Sequence, residues 1–456
     1  MTTRVYALGV FVGLFIIFVA GTLFSYDLYF LLGLENEYDL KRFLVVGFIW
    51  LCLLGLCFTK QDITFHVSFY KAVGFTVFVL LLLVSALFSR HVFWAFVDVT
   101  NICMLITAFY FFSVSLRSLD EKTLCSVLFA GVLFFSLLTL FKYSLFLIFS
   151  YVDVNSFDIH GLISDYTNAR FFNQLQVMIV PLLYIPFCCD GLRKFKKLSV
   201  FIVTLHWLVF LQTDARGAIL SLFLVFILFL FNLERERRIG FLYEVLRPLA
   251  FGILLWLLLI KIIPYYLFDN VTFQLRTTSS GRLDFWLFIL KAIPDSPWLG
   301  FGPMSFTWAE GKPFPHAHPH NIIMQVLYEN GVLVCLIFVM VALHVVFNVL
   351  KSVGINESFS KYPFYFSLLS GLCYSQLSGV LVMPFSQLLF SLVLALSISS
   401  PQQNDCIDDC RIKRWIIIMQ FLVVTFFSAV MFISYNHEGL SAGFFPRIWL
   451  RGNVMN

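Results

Sequence analysis

The sequence predicts an all-α polytopic membrane protein, and three observations lead there. Hydrophobic residues make up 60% of the 456 residues and charged residues only 12%, where a soluble domain carries about 25% charged residues. Apolar runs near 20 residues recur along the chain, each long enough to cross a hydrocarbon core roughly 30 Å thick. Lys and Arg cluster in alternate loops between those runs, as expected when cations are retained on the cytoplasmic side.

Taken in order, the apolar runs give candidate spans at 6–25, 43–59, 68–89, 93–115, 124–149, 171–189, 198–212, 217–232, 249–268, 322–350, 364–383, 385–399 and 415–434. The expectation is therefore about 12–13 transmembrane helices. The first run has no small-residue cleavage site and many spans follow it, so it reads as a helix and not as a signal peptide. No repeat of 20–50 residues and no low-complexity segment breaks the pattern, and residues 1–456 read as one integral membrane domain. The tail after Ser434 reads as an interfacial end. The net charge of +5 bears on topology and not on nucleic acid. Most of the 10 Cys lie in or beside apolar runs, where Cys packs as a small hydrophobe. Cys406 and Cys410 share a short charged loop without partner His, which is little support for a metal.

Threading the spans puts Arg4, the 193–197 and 235–247 clusters, Lys351 with Lys361, and Arg411 with Lys413 and Arg414 on one side, the cytoplasm. The opposite side, a bacterial periplasm, then receives the 150–170 segment, the 213–216 turn and a large loop over residues 269–321. Polar chemistry concentrates there. Arg216 joins two apolar helices with almost no loop, and an Arg near membrane depth usually faces the bundle or water; its bland alternative is a pair with Asp214 or snorkelling to the interface. Arg282 follows Ser and Gly at an expected helix start, where backbone N–H groups and a guanidinium fork suit phosphate oxygens. Its bland alternative is an interfacial helix in which it pairs with Asp284 or lipid.

His316, His318 and His320 alternate as H-A-H-P-H. The spacing admits a metal, since imidazole is a common zinc ligand. No Cys or carboxylate cluster accompanies it, and Pro315 and Pro319 stiffen the backbone, so no metal is expected. A single His there suits a general base. Asn321 is expected to cap the next helix. Gln325 and Glu329 share one face of that helix, and Glu329 is placed either to orient the His or to bond a neighbouring helix. Asn173, Gln174 and Gln176 open another helix on the same side, to bind sugar hydroxyls or to join helices. The 57 Phe and 18 Tyr are mostly packing and lipid-facing aromatics, with a lipid-chain groove as the sharper alternative.

These residues resemble a known pattern. His320-Asn321, nine residues, Gly331, two more and Val334 is similar to the ligase signature of the O-antigen ligase superfamily. S-S-G-R-x-x-x-W at residues 279–286, P-W-L-G-F-G-P at residues 297–303 and the R-G turn at Arg216 also resemble it. The resemblance is most specific over residues 213–334. It implies a GT-C type glycosyltransferase that takes a glycan from undecaprenyl diphosphate outside the inner membrane. The acceptor is lipid A–core in ligases, pilin or another protein in O-oligosaccharyltransferases, and another glycan in O-antigen polymerases; ligation is the leading expectation. By motif, His320 resembles the essential His, and Arg216 and Arg282 the diphosphate-binding Arg residues, with Asn321, Glu329, His318 and Gln174 in support. No cofactor and no metal is implied, and no D-x-D motif appears on an outer loop. The alternative of a different class is a transporter for the lipid-linked glycan.

Overall fold

The computed structural model describes residues 1–59, 63–64, 69–152, 163, 165–268, 281–354, 359–399, 411–412, 414–435 and 447–450. Residues 269–280, including Ser279 and Ser280, most of the 150–170 segment, and Cys406 and Cys410 lie outside them. Among the described residues the chain is helical apart from one two-residue antiparallel pairing, β1 (Ile63–Thr64) with β2 (Arg411–Ile412). The helices are α1 (Thr3–Leu23), α2 (Ser25–Leu31), α3 (Glu37–Cys57), α4 (Phe69–Leu87), α5 (Val92–Arg117), α6 (Glu121–Val152), α7 (Ala169–Leu182), α8 (Ile185–Cys188), α9 (Lys196–Gln212), α10 (Arg216–Asn232), α11 (Arg235–Trp256), α12 (Ile263–Phe268), α13 (Arg282–Ala292), α14 (Ile322–Gly354), α15 (Tyr362–Ser375), α16 (Pro384–Ile398) and α17 (Arg414–Ile433). A π-helical stretch, Leu257–Ile262, joins α11 to α12; Pro264 follows it and has no N–H to continue a regular ladder.

Among the described residues eight helical stretches are long and apolar enough to cross a membrane, and four shorter apolar helices, Val73–Leu87, Arg216–Asn232, Pro384–Ile398 and Ile417–Ile433, accompany them. The chain is a multi-pass membrane protein. Each expected span falls on a helix, although the one placed at 364–383 stops at Ser375, before a turn that leads to Pro384. The helices close on one another because hydrocarbon leaves no partner for backbone N–H and C=O groups outside a helix. One continuous core runs from α1 through α16, with Phe11, Phe18, Phe111, Phe112, Phe135 and Phe229 fully enclosed. Following the passes, the starts of α7, α10, α13 and α14 gather at one end of the bundle. The Lys- and Arg-rich connections before α9, before α11 and after α14 gather at the other.

The tail differs from the interfacial end expected of it. Ile448 and Trp449 are buried in the main core, and the Trp449 ring packs on Phe43 and Tyr435 at centroid distances of 5.4 and 4.8 Å. Polar bonds hold the segment there. Tyr38 donates to the Arg447 carbonyl at 2.5 Å, Leu450 N–H donates to Asp39 Oδ1 at 2.8 Å, and Trp449 Nε1 donates to Ser434 Oγ at 3.2 Å. A four-residue strap with aromatic and charged members can afford burial because its backbone groups are taken up in this way.

Arg42 on α3 joins that strap to the bundle. It is fully buried and donates to Asn101 Oδ1 at 2.9 Å, Gln387 Oε1 at 2.6 Å, the Val382 carbonyl at 2.9 Å and the Ile448 carbonyl at 3.3 Å. A single guanidinium thus ties α3, α5, α16, the turn before α16 and the strap. Arg42→Met leaves these acceptors without a donor, and each buried unsatisfied acceptor costs about 1–3 kcal/mol. The expected outcome is a thermal midpoint well below wild type in detergent, followed by scanning fluorimetry, with a larger loss than for the exposed Arg4→Met.

Candidate active site

His320 sits at the start of α14 in the left-handed region, at φ 57°, which non-glycine residues seldom adopt and His tolerates better than most. Asn321 follows and caps the helix: its Oδ1 accepts from Met324 N–H at 3.0 Å, while its Nδ2 donates to the Gln376 carbonyl at 3.2 Å. The cap expected from sequence is present, and it also joins α14 to the end of α15. The His320 N–H donates to His318 Nδ1 at 3.3 Å, so His318 carries its proton on Nε2 and is neutral. The ring centroids of His318 and His316 lie 4.3 and 5.3 Å from that of His320. Lys312 knots the preceding loop by donating to the carbonyls of Phe306, Thr307 and His316 at 3.2, 2.5 and 3.0 Å.

Gly331 breaks α14, at φ 75° and ψ −178°. The break is filled by the 297–302 turn. Phe301 and Gly302 N–H donate to the carbonyls of Tyr328 and Glu329 at 3.0 and 2.8 Å, and Val332 N–H donates to the Pro297 carbonyl at 2.8 Å. Ser85 Oγ, from α4, donates to the Leu299 carbonyl at 2.7 Å. A Cβ on Gly331 would fall 2.4 Å from the Trp298 carbonyl, and one on Gly300 would fall 2.5 Å from Gly331 N. The two motifs that looked separate in sequence are thus the two halves of one backbone junction, and the nine residues between Asn321 and Gly331 form a short helix of their own.

Three arginines gather on the His320 side from the first turns of three other helices. Arg216 begins α10 and Arg282 begins α13, as expected. Arg170, in the first turn of α7 beneath the Asn168 cap, is the one that the sequence reading did not single out. Arg282 lies within electrostatic reach of Arg170 and Arg216, and His320 within reach of Arg282 and Arg170. Burial and then the Arg170 charge hold the Arg282 pKa below its usual value, with Tyr374 opposing and Arg216 adding to the push. Among the described residues the buried Arg282 Nε has no hydrogen-bond partner, and neither Arg170 nor Arg282 forms an ion pair with a carboxylate. Arg216 meets Asp214 only at 3.5 Å, with both side chains well exposed, a contact worth little in water. Like charges converge here together with the positive ends of three helices, an arrangement that favours an anion between them.

The supporting residues divide. Gln174 is buried and committed to helix joining, with its amide donating to Ser378 Oγ at 3.0 Å and accepting from Ser386 Oγ at 3.3 Å. Glu329 does not touch His320: its Oε2 accepts from Arg447 Nη2 at 2.6 Å. Arg170 is placed by the segment before it, where Asp165 is gripped by Lys142 and by Ser25 Oγ at 3.0 Å, and Tyr166 bonds Thr22 at 3.1 Å. Its sequence signal was an Arg in the first turn after a polar stretch, the same grammar as Arg216 and Arg282. A cavity of about 2590 Å³ runs behind α14 between α4, α5, α16 and α17. It is walled by apolar residues such as Phe78, Ile106 and Phe338 and reaches Ile322, two residues from His320. None of the three arginines lines it, so it adjoins the arginine site without being part of it.

Residues 200–339 match the family model described as O-Antigen ligase. The chain carries an O-antigen ligase family domain. That domain takes in Arg216, Arg282, the 297–303 motif and His320 through Gly331, and leaves Arg170, Gln174 and Arg447 outside. The activity that goes with the family is membrane glycan transfer of the ligase or polymerase type on lipid-linked glycans. No curated protein matches the chain.

Burial pushes the His318 pKa down to about 3, with the Arg447 and His316 charges adding to it. Burial, then His318, His316, Arg282 and Arg170, pushes His320 well below its usual value near 6.5. Both stay neutral in the folded protein while their unfolded counterparts protonate below about 6.5, so the unfolded state binds more protons and stability falls as pH falls. Between pH 7.5 and 5.5 the denaturation midpoint is expected to drop, and to drop less for His318→Asn, which keeps an acceptor for His320 N–H but does not titrate. An equal slope in the two proteins contradicts this.

Proposed function

We propose that this protein transfers a glycan from undecaprenyl diphosphate to an acceptor hydroxyl at the periplasmic face of the inner membrane, with lipid A–core as the acceptor. The observation that carries the reading is the convergence of Arg170, Arg216 and Arg282, each in the first turn of a helix, beside a neutral histidine. A diphosphate supplies counter-charge to Arg170 and Arg282, which have no carboxylate partner among the described residues. Its oxygens match guanidinium forks and helix N-termini alike, and preorganised positive charge matters most where negative charge grows as the leaving group departs.

In this reading the acceptor oxygen forms a bond to the anomeric carbon as the bond from that carbon to the diphosphate oxygen breaks. Attack opposite the leaving group inverts the anomeric centre. The hydroxyl proton passes to the His320 imidazole and from there to the departing phosphate or water. A depressed His pKa makes a weak base in the empty site. Bound diphosphate offsets the arginine charges that depress it, so the base gains strength when the donor is in place. Leaving-group charge is assigned to the arginines, which makes the transfer independent of a metal. The apolar walls of the cavity behind α14 suit hydrocarbon, and its approach to Ile322 brings a lipid-borne group near the base. Loop cations at the opposite end of the bundle support a periplasmic site.

The test gives purified protein a defined undecaprenyl-diphosphate glycan with lipid A–core, pilin and free lipid-linked glycan in competition, and reads product mass. Glycan on lipid A–core is expected. Glycan on pilin or on the second lipid-linked glycan reassigns the acceptor, and intact donor with all three turns the reading towards transport. His320→Ala is expected to lower the rate about 10²–10⁴-fold, and a wild-type rate in that variant removes the base. Arg170→Ala removes charge-assisted bonds worth about 1.5–3 kcal/mol, roughly a 10–10²-fold loss in kcat/KM. An unchanged value takes Arg170 out of the site.

A further inference from the structure

The short helix that carries His320 at its head is held from behind by a residue far from every motif. Arg447 is buried in the strap and donates through Nη2 to Glu329 Oε2 at 2.6 Å and to Asp98 Oδ2 at 2.9 Å. Gln325, one turn from Glu329 on the same face, turns its amide oxygen towards the guanidinium, where it accepts from Nη2 at 3.0 Å and from Nη1 at 2.5 Å; a guanidinium offers only donors, so this orientation is required. Asp98 belongs to α5, Gln325 and Glu329 to the 322–330 helix, and Arg447 to a strap anchored on α3. Both carboxylates lie inside the bundle, where an uncompensated charge is expensive and a paired one fixes geometry.

The 322–330 helix needs such a hold. It is cut off from the rest of α14 by the non-helical Gly331. It is secured at its head by Asn321 on the Gln376 carbonyl and at its foot by the backbone bonds of the 297–302 turn. Neither fixes rotation about its own axis; the Arg447 contacts to Gln325 and Glu329 do. Side chains reach about 5–6 Å from a helix axis, so a rotation of about 10° displaces them by about 1 Å, enough to cost on the order of 10² in rate. We propose that Arg447 is a positioning residue of the transfer site, which sets the orientation of the 322–330 helix and thereby the place of His320 relative to the arginines. The proposal rests on the reading of His320 as the base.

The test uses the full-length protein with three neutral, similarly sized replacements together, Arg447→Met, Asp98→Asn and Glu329→Gln, so that no buried charge is left alone. The same undecaprenyl-diphosphate glycan and lipid A–core serve as substrates, and acylation of His320 by diethyl pyrocarbonate, read by mass spectrometry, reports its setting without turnover. The folded triple variant is expected to lose 10–100-fold in kcat with donor KM within twofold of wild type, and to acylate at His320 at least fivefold faster. Wild-type kcat and acylation in the folded triple variant overturn the proposal, as does a loss confined to donor KM. Arg447→Lys keeps the charge but not the fork, and is expected to lose three- to tenfold in kcat. Where the triple variant does not fold, wild-type behaviour of Arg447→Lys in both measurements overturns the proposal instead. If wild-type protein transfers no glycan, the reading of function fails while the acylation rates still decide the role of Arg447.

Discussion

A helix inside a bilayer can be interrupted only where something else takes up its backbone groups, and the candidate site depends on one such interruption. At Gly331 the ladder of α14 stops, and the 297–302 turn supplies the bonds that α14 no longer makes for itself. This sets the length of the helix that begins at Asn321 and brings the α13 region against its flank. Phe285, Phe306 and Tyr328 close that contact as a small apolar cluster, and His320 at the rim lies 6.5 Å from the Phe285 ring. The glycines are required by contact distance, since a Cβ at either position would overlap backbone.

The electrostatic character of the site follows from which helix ends meet there. Each of α7, α10 and α13 begins at the same end of the bundle with an Arg in its first turn, so side-chain and backbone positive charge add. Such a cluster opposes folding unless a counter-ion is at hand; among the described residues Asp214 pairs with Arg216, and no carboxylate pairs with Arg170 or Arg282. Elsewhere cations are well matched, as with half-buried Lys142 on Asp165 and buried Arg447 between Asp98 and Glu329. The contrast separates charges that hold the bundle together from charges kept for something that arrives.

Much of this was legible in the sequence. Apolar length placed the helices, because in hydrocarbon a span has few other ways to satisfy its backbone. The residues that stand out against that background, Arg216, Arg282 and His320, did so because polar groups are rare there. What could not be read depends on contacts between distant segments. Gln174 and Glu329 have the composition of site residues, and only their partners, Ser378 and Arg447, reveal that they join helices. Arg170 looked like one cation in a polar stretch until α7 was set beside α13. The strap at 447–450 has no periodicity to mark it, and its burial depends on Arg42 and Asp39, some 400 residues earlier.

The bond from Arg447 to Glu329 also orders events during synthesis. The two residues are separated by 118 positions, and translation at 5–20 residues per second puts about 6–24 s between their emergence. During that interval Asp98 and Glu329 have already entered the membrane with the helices that carry them, while their cation is still in the ribosome. A nascent chain therefore holds two lipid-embedded acids before their cation arrives, and the helix bearing His320 takes its final setting only when the strap threads into place. The site is assembled back to front, with a segment made late completing a helix laid down long before.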